Sequence, residues 1–434
     1  MIKLEDVIEA YMAARKNKRK SPDQVEFELH WEMNCLNLLN DIVNHTLRPT
    51  AYTFVTSYPK PREVFASDFA TRILHHYLDI RLRPLLEARM SNHTYNNRVG
   101  KGQNACQNAV IQDIYDASRG FTTDAWIVKV DLSGCFPNVS QDIAYKQLEE
   151  VVLADYHRED KSELIYILQV CVFSYPTEHC YRKSSLSKWK DIPAEKSLFT
   201  KPRGTGAAIG HLIWQNAVNY YFTAIDRWIE SMGLRYERYV DDMYFVISNK
   251  ELFLSAVLPE LRMKLAEIGA KVNEKKHYCQ HYTKGVECLG VHIKMDRIYL
   301  NNRVVNRGMK RAREFNHCIR PNKIDAMFAS INSYLGMCKN CNGYSQAMKI
   351  IRELDGRWFE YVEFDRKRIC LVAKEEYRVN NRIIKQFNFK RYDKFRKRRV
   401  KNQVQQRDAE TKRHHCGKRP PCVEVHETGT ELQG

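Results

Sequence analysis

Two adjacent carboxylates, Asp241 and Asp242, stand in a Tyr-Val-Asp-Asp box, with the strand-like run LRYERYV before it and MYFVIS after it. Two strand-forming segments joined so tightly pair as a hairpin, which carries both acids at its tip. Like charges so placed repel each other unless a cation neutralises them, so the tip reads as a divalent metal site. Taken alone it reads more often as a solvated turn, because Asp is a favoured turn residue. A third acid shifts the balance: Asp131 ends the strand-like run WIVKVDL, well upstream, and is followed by SGCFPNVS. One carboxylate at a strand end and two on a neighbouring hairpin could hold two hydrated Mg²⁺ ions with open positions. Such a pair activates an attacking hydroxyl and stabilises a leaving pyrophosphate in in-line phosphoryl transfer.

Composition narrows the setting. The 434 residues are 44% hydrophobic, enough for two or three packed units. A formal charge of +18 points to a polyanionic partner, since a basic surface gains affinity by releasing counterions from phosphates; ribosomal or membrane-surface binding would share that attraction. No apolar run approaches the roughly 20 residues of a membrane span. The opening MIKLEDVIEAYMAARKNKRK contains acids and no signal-peptide core, so no membrane role and a cytoplasmic location are expected. The 13 cysteines are scattered, as reduced thiols would be. Cys338 and Cys341 lack a matching pair for zinc, and they fall at what reads as a helix end. His414, His415, Cys416, Cys422 and His426 lie in low-hydrophobicity sequence that reads as disordered rather than as a zinc site.

At the acidic boxes the chain resembles a reverse transcriptase, and other blocks of that family follow in order. KPREVFASDFATRILHHYL (60–78) is similar to the first fingers block and TYNNRVGKGQNA (94–105) to the second. VKVDLSGCF matches the first catalytic block, and RGTGAAIGHLIWQNAVNYYF the glycine-containing loop with its helix. GAKVNEKKH matches the lysine-bearing block and ECLGVHI the primer-gripping hairpin. The resemblance spans roughly residues 25 to 355. It implies an α+β right-hand polymerase: fingers and N-terminal helices over 1–120, a palm with an antiparallel sheet and the catalytic hairpin over 121–301, and a helical thumb over 302–378. A basic tail, expected to be disordered, occupies 379–434.

Periodicity fills in that frame. Residues 1–120 read as mostly helical, including CLNLLNDIV and ATRILHHYLDIRLRPLLEARM. Helices are expected through QDIAYKQLEEVVLADY and SELIYILQVCVF, then an irregular stretch from Ser174 to Gly206. One long helix should follow, with Ile213, Ala217, Tyr220, Ala224 and Trp228 facing the core. An amphipathic helix over 250–268, a strand pair around ECLGVHIKMDRIYL and three thumb helices complete the pattern. In the tail, residues 385–401 hold nine Lys or Arg and one Asp, with Phe387, Phe389, Tyr392 and Phe395 interleaved. That mixture suits contact with RNA through phosphates and base stacking, or a solvated basic tail.

The resemblance assigns roles position by position. Asp131, Asp241 and Asp242 would bind two Mg²⁺ ions and, with Lys276, form the catalytic group. Lys276 stands where the family's lysine meets the leaving pyrophosphate, although its neighbour Lys275 leaves the register open by one. Phe136 falls at the steric gate under the sugar, while by pattern alone it is a core Phe beside a Pro. Arg62 stands where the fingers offer a guanidinium to the triphosphate, a task suited to a planar bidentate donor. Ile209, Gly210 and Gln215 would line the nucleotide site. Arg72, Arg98, Lys101, Lys390 and Arg391 are candidate nucleic-acid contacts, and any of them is also readable as a solvated charge.

Residues 209–215, Ile-Gly-His-Leu-Ile-Trp-Gln, depart from the Gln-Gly-x-x-x-Ser-Pro usual in the family. Ile209 and Gln215 there are similar to the enzymes of diversity-generating retroelements, as are the insert WKDIPAEKSLF (189–199) and INSYLGMCKNCNGY (331–344); Trp214, where Ser is usual, departs from both. That resemblance implies copying of a template-repeat RNA into cDNA from dNTPs, with errors opposite adenine. It also implies an RNA/DNA hybrid as product and a small helical accessory protein acting in trans, since no fused accessory, maturase, endonuclease or RNase H segment is recognisable. A retron-like or phage-defence enzyme would share the metal ligands. A non-catalytic RNA-binding protein would explain the charge but not three intact acids.

Overall fold

The computed structural model describes residues 1–16, 21–56, 60–320, 323–341 and 343–374. They divide into two compact units, Met1–Ile298 and a second beginning at Tyr299. The first unit opens with helices α1 (Leu4–Arg15), α2 (Pro22–Glu28) and α3 (Trp31–Val43), then a hairpin of β1 (Ala51–Thr56) and β2 (Arg62–Ser67). The segment is mostly helical, as expected, and this hairpin is what the helical reading omitted. Tyr52, Thr53, Phe54 and Val55 are β-branched or aromatic residues that alternate between buried and half-buried positions, the period of a strand.

Helix α4 (Phe69–Arg89) follows, capped by Asp68, whose side chain accepts the Thr71 N–H at 2.8 Å. It buries Phe69, Ile73, Leu74, Tyr77, Leu78, Leu82 and Leu86 and packs against α1. After α5 (Gln103–Ala117) come β3 (Trp126–Asp131), a 3₁₀ turn at Phe136–Asn138, α6 (Gln141–Asp155) and α7 (Lys161–Val172). Strand β4 (Cys180–Arg182) lies parallel to β1.

The expected long helix is two, α8 (Leu212–Tyr221) and α9 (Thr223–Ser231). Phe222, at φ −93° and ψ 2°, ends the first. The break shifts the phase of the buried face, so Ile213 and Ala217 are buried as expected while Ala224 is exposed and Thr223, Ile225, Asp226 and Ile229 point inward. Strands β5 (Arg235–Tyr239) and β6 (Asp242–Ile247) form the hairpin read from the sequence. The helix expected over 250–268 is α10 (Lys250–Leu252), a π-helical turn (Phe253–Val257) and α11 (Leu258–Glu267). Pro259 has no N–H to bond back into the preceding turn, which accounts for the interruption. Strands β7 (Tyr278–His281), β8 (Val286–Cys288) and β9 (Val291–Ile293) end the unit.

The central sheet runs β5-β6-β3-β7, antiparallel throughout. Its middle strands carry Val128, Val130, Met243 and Phe245 into the main core, which α4, α6, α7 and α8 share. The α+β expectation for a right-hand polymerase holds. After β10 (Ile298–Leu300), which straddles the division, the second unit comprises α12 (Asn302–Asn316), α13 (Ile324–Lys339), α14 (Tyr344–Arg352) and the hairpin β11 (Val362–Asp365) with β12 (Cys370–Ala373). Among the described residues no helix is long and apolar enough to cross a membrane.

Candidate active site

Strand pairing brings the acids together. Asp131, the last residue of β3, is the direct cross-strand partner of Asp242, the first residue of β6, while Tyr239 pairs with Asp242 across the hairpin. Only Val240 and Asp241 remain for the turn. Val240 adopts φ 57°, an uncommon conformation for a β-branched residue and the one a two-residue hairpin demands at its first central position. The Leu132 N–H donates to the Asp241 carbonyl at 3.0 Å and ties the turn to the end of β3.

Two lysines answer the negative charge. Lys276 Nζ donates to both Asp131 oxygens, at 3.0 and 2.8 Å, so Lys276 rather than Lys275 reaches the acid. Asn273 adds a side-chain bond to Asp131 Oδ1 at 2.9 Å, and its backbone N–H bonds the Asp131 carbonyl at 2.7 Å. On the opposite side Lys129 Nζ lies 3.2 Å from Asp242 Oδ1. Burial above all, then the charge of Asp242, pushes the Asp241 carboxyl up to about 6. Burial also raises that of Asp242, with Lys129 pulling against it and Asp131 adding to it.

This donor set suits a hard divalent cation: three carboxylates on stiff stems, two of them, Asp131 and Asp242, facing across a ladder, with Asp241 and Asp242 held above the usual carboxylate range chiefly by burial. Among the described residues no three acidic, His or Cys side chains already converge on one point. Lys276 and Lys129 stand on carboxylate oxygens of Asp131 and Asp242 that a cation would take. Sequence reading missed Lys129 and Asn273. Lys129 was accessible to it: two residues before Asp131 on one strand, it shares that face and sits diagonally across from Asp242. Asn273 lies in a loop whose approach to β3 no local pattern encodes.

The glycine-containing loop is laid against both the sheet and the first hairpin. Gly206 N–H donates to the Val139 carbonyl at 2.7 Å, and Ala207 N–H to the Phe136 carbonyl at 2.8 Å. Phe136 is half-buried, packed against the core and joined by this bond to the loop that leads to Ile209. The Phe65 N–H of β2 donates to the Ile209 carbonyl at 2.7 Å. Gly210 follows at φ 112°, where an added Cβ would lie 2.5 Å from the Phe65 carbonyl oxygen. Only glycine permits both the conformation and the approach. Gln215 is exposed on α8, whereas its neighbour Trp214 is buried in the core.

The basic candidates differ in their commitments. Arg62, exposed at the start of β2, has no ion-pair partner among the described residues. Arg72 stacks over Phe69 and donates to the Ser67 carbonyl at 3.3 Å. Arg98 is turned inward: Nη1 donates to the carbonyls of Ser91 and Thr94 and to Thr94 Oγ1, at 2.5, 3.1 and 2.7 Å. Lys101 donates to the Asn92 carbonyl and lies 4.8 Å from the Tyr95 ring centre, with burial lowering its pKa. Lys390 and Arg391 fall outside the described residues.

Residues 60–293 match a family described as reverse transcriptase (RNA-dependent DNA polymerase). No curated protein matches the sequence. Among solved structures, a C-terminally truncated apo telomerase from Candida tropicalis aligns with a TM-score of 0.41 at 13% identity, over 59% of this chain and 57% of that one. Telomerase from Candida albicans with a TWJ fragment of telomeric RNA gives 0.42 at 12%, over 72% and 58%. The chain spans less than three fifths of the length of these two telomerases.

Proposed function

The chain belongs to the reverse transcriptase (RNA-dependent DNA polymerase) family, whose match covers more than half of it, and from that premise we propose that it is an RNA-directed DNA polymerase. The observation that carries the proposal is the pairing of Asp131 with Asp242 in adjacent strands, with Lys276 on Asp131. The substrates are a template RNA, the growing RNA/DNA hybrid and dNTPs.

Reverse transcriptases use divalent metal ions, and Asp131, Asp241 and Asp242 would hold two Mg²⁺ here, supplying Lewis-acid activation of the primer hydroxyl and charge neutralisation at the leaving pyrophosphate. The chain's own residues do the rest. Lys276, freed from Asp131, brings an ammonium donor to the pyrophosphate oxygen. Arg62, exposed and without an ion-pair partner among the described residues, offers a bidentate donor to the triphosphate. Phe136 presents a half-buried ring under the sugar, where bulk excludes a 2′-hydroxyl. Ile209 and Gly210 set the floor beside the nascent base pair, with Gln215 one helical turn further on.

The finer reading is a diversity-generating retroelement enzyme that works in the cytoplasm with a small helical accessory protein and makes errors opposite template adenine. Support comes from Ile209 and Gln215 in place of the usual Gln and Pro. An aliphatic side chain offers no hydrogen bond to hold template and dNTP in one geometry, which lowers the penalty for a mispair. Sequencing of cDNA copied from an adenine-containing RNA tests this, with accessory protein and Mg²⁺ supplied. Errors should concentrate opposite adenine and fall in Ile209→Gln. Faithful cDNA from the unmodified protein would instead place it with retron-like or defence enzymes.

A further inference from the structure

Behind the catalytic hairpin lies a wholly buried ion pair that none of the roles above uses. Arg238 and Asp226 are both 0% exposed. All five guanidinium N–H groups are engaged. Nε donates to Asp226 Oδ1 at 2.8 Å, and Nη2 to Asp226 Oδ2 at 2.5 Å and the Asn219 carbonyl at 3.0 Å. Nη1 donates to Asn219 Oδ1 and to the Val240 carbonyl, each at 3.3 Å. Tyr236 Oη completes the cluster with a bond to Asp226 Oδ1 at 2.7 Å. The backbone of Arg238 is engaged on another side: its N–H donates to the His93 carbonyl at 2.8 Å and its carbonyl accepts the Tyr95 N–H at 3.0 Å. Asn219 holds the same segment, donating to the Asn96 carbonyl at 2.9 Å.

Taking two charges out of water is costly, and such a pair gives little net stability compared with apolar packing. What it provides here is geometry. Val240 is the strained residue of the turn, and Arg238 is the side chain that grips its carbonyl. We infer that Arg238 is a positioning residue for metal binding: it holds Val240 at its positive φ, and through the turn it sets the aim of Asp241 and Asp242, while fastening that turn to the loop His93–Asn97. Lysine cannot substitute, because its three donors lack the planar fork.

The inference rests on the metal role proposed for Asp241 and Asp242, and its test separates the two. The full chain is titrated with Mn²⁺, and binding is followed by electron paramagnetic resonance, with circular dichroism as a check on folding. Arg238→Lys should weaken Mn²⁺ binding about tenfold, in the range seen when groups that orient metal ligands are removed. Val240→Gly removes the backbone strain, because glycine accepts φ near +60° without cost. In that background Arg238→Lys should therefore have an effect of less than about threefold, a coupling that a merely structural residue would not show. If Arg238→Lys does not fold, Asp226→Asn carries the same pair of comparisons. Equal weakening in both backgrounds, or none in either, overturns the inference. Mn²⁺ binding unchanged by Asp242→Asn would overturn the metal reading itself, and the inference with it.

Discussion

At Asp241 the metal role proposed for it and stability oppose each other. Its carboxyl is raised from 3.8 to about 6 by burial and then by Asp242. In that interval the folded state binds more protons than the unfolded one. Its contribution to stability is therefore present below about pH 4 and lost as pH rises through 6. At pH 7 the full charging penalty, up to about 3 kcal/mol by linkage, weighs on the metal-free protein. Asp241→Asn should raise the melting temperature in EDTA at pH 7 and abolish synthesis, and Mg²⁺ should stabilise the unmodified protein far more than the variant. A melting temperature that falls on substitution would remove the charging penalty from the account. Gly210 makes the opposite case. At φ 112° and with a Cβ position 2.5 Å from the Phe65 carbonyl oxygen, Gly210→Ala should cost about 2 kcal/mol or more in chemical denaturation. At this scale the acids, Lys276 and Gly210 were legible because their chemistry is unusual for their setting. Arg238 was not, because nothing local distinguishes a buried arginine from an exposed one on a strand.

Among the elements, the strands around the acidic hairpin announced themselves, while the first hairpin and the helix breaks did not. β3, β5 and β6 follow from short runs rich in β-branched and aromatic residues around a tight turn. The division of α8 from α9 at Phe222 leaves no Pro or Gly in the sequence, and the parallel pairing of β4 with β1 depends on a partner far away in the chain. The N-terminus of α8 also carries a pH dependence. His211 lies beside His75, ring centres 4.8 Å apart, with neither His211 nitrogen bonded and only Ser67 touching His75 Nδ1. Burial lowers the His211 pKa from 6.5 to about 4 and, with the charges of His211, His76 and Arg72, takes that of His75 well below its usual range. A folded pKa below the unfolded one means the unfolded chain binds more protons between them, so stability is lost as pH falls from about 6.5 toward 4. His211→Phe should flatten this part of the melting-temperature profile; an unchanged slope would assign it to carboxylates elsewhere.

For the molecule as a whole, charge and block order carried most of the reading. The division at 298/299 falls inside a short strand that no composition change marks. With +18 formal charge, RNA affinity should fall linearly in logarithm with the logarithm of salt concentration, measurable by filter binding between low and physiological salt. The central claim is that Asp131, Asp241 and Asp242 carry RNA-templated DNA synthesis. Primer extension on an RNA template, with dNTPs and Mg²⁺ and with the unmodified protein beside Asp242→Asn, tests it most directly. The account predicts extension by the former and a near-complete loss in the latter, while both retain RNA binding. Undiminished extension by Asp242→Asn would contradict it.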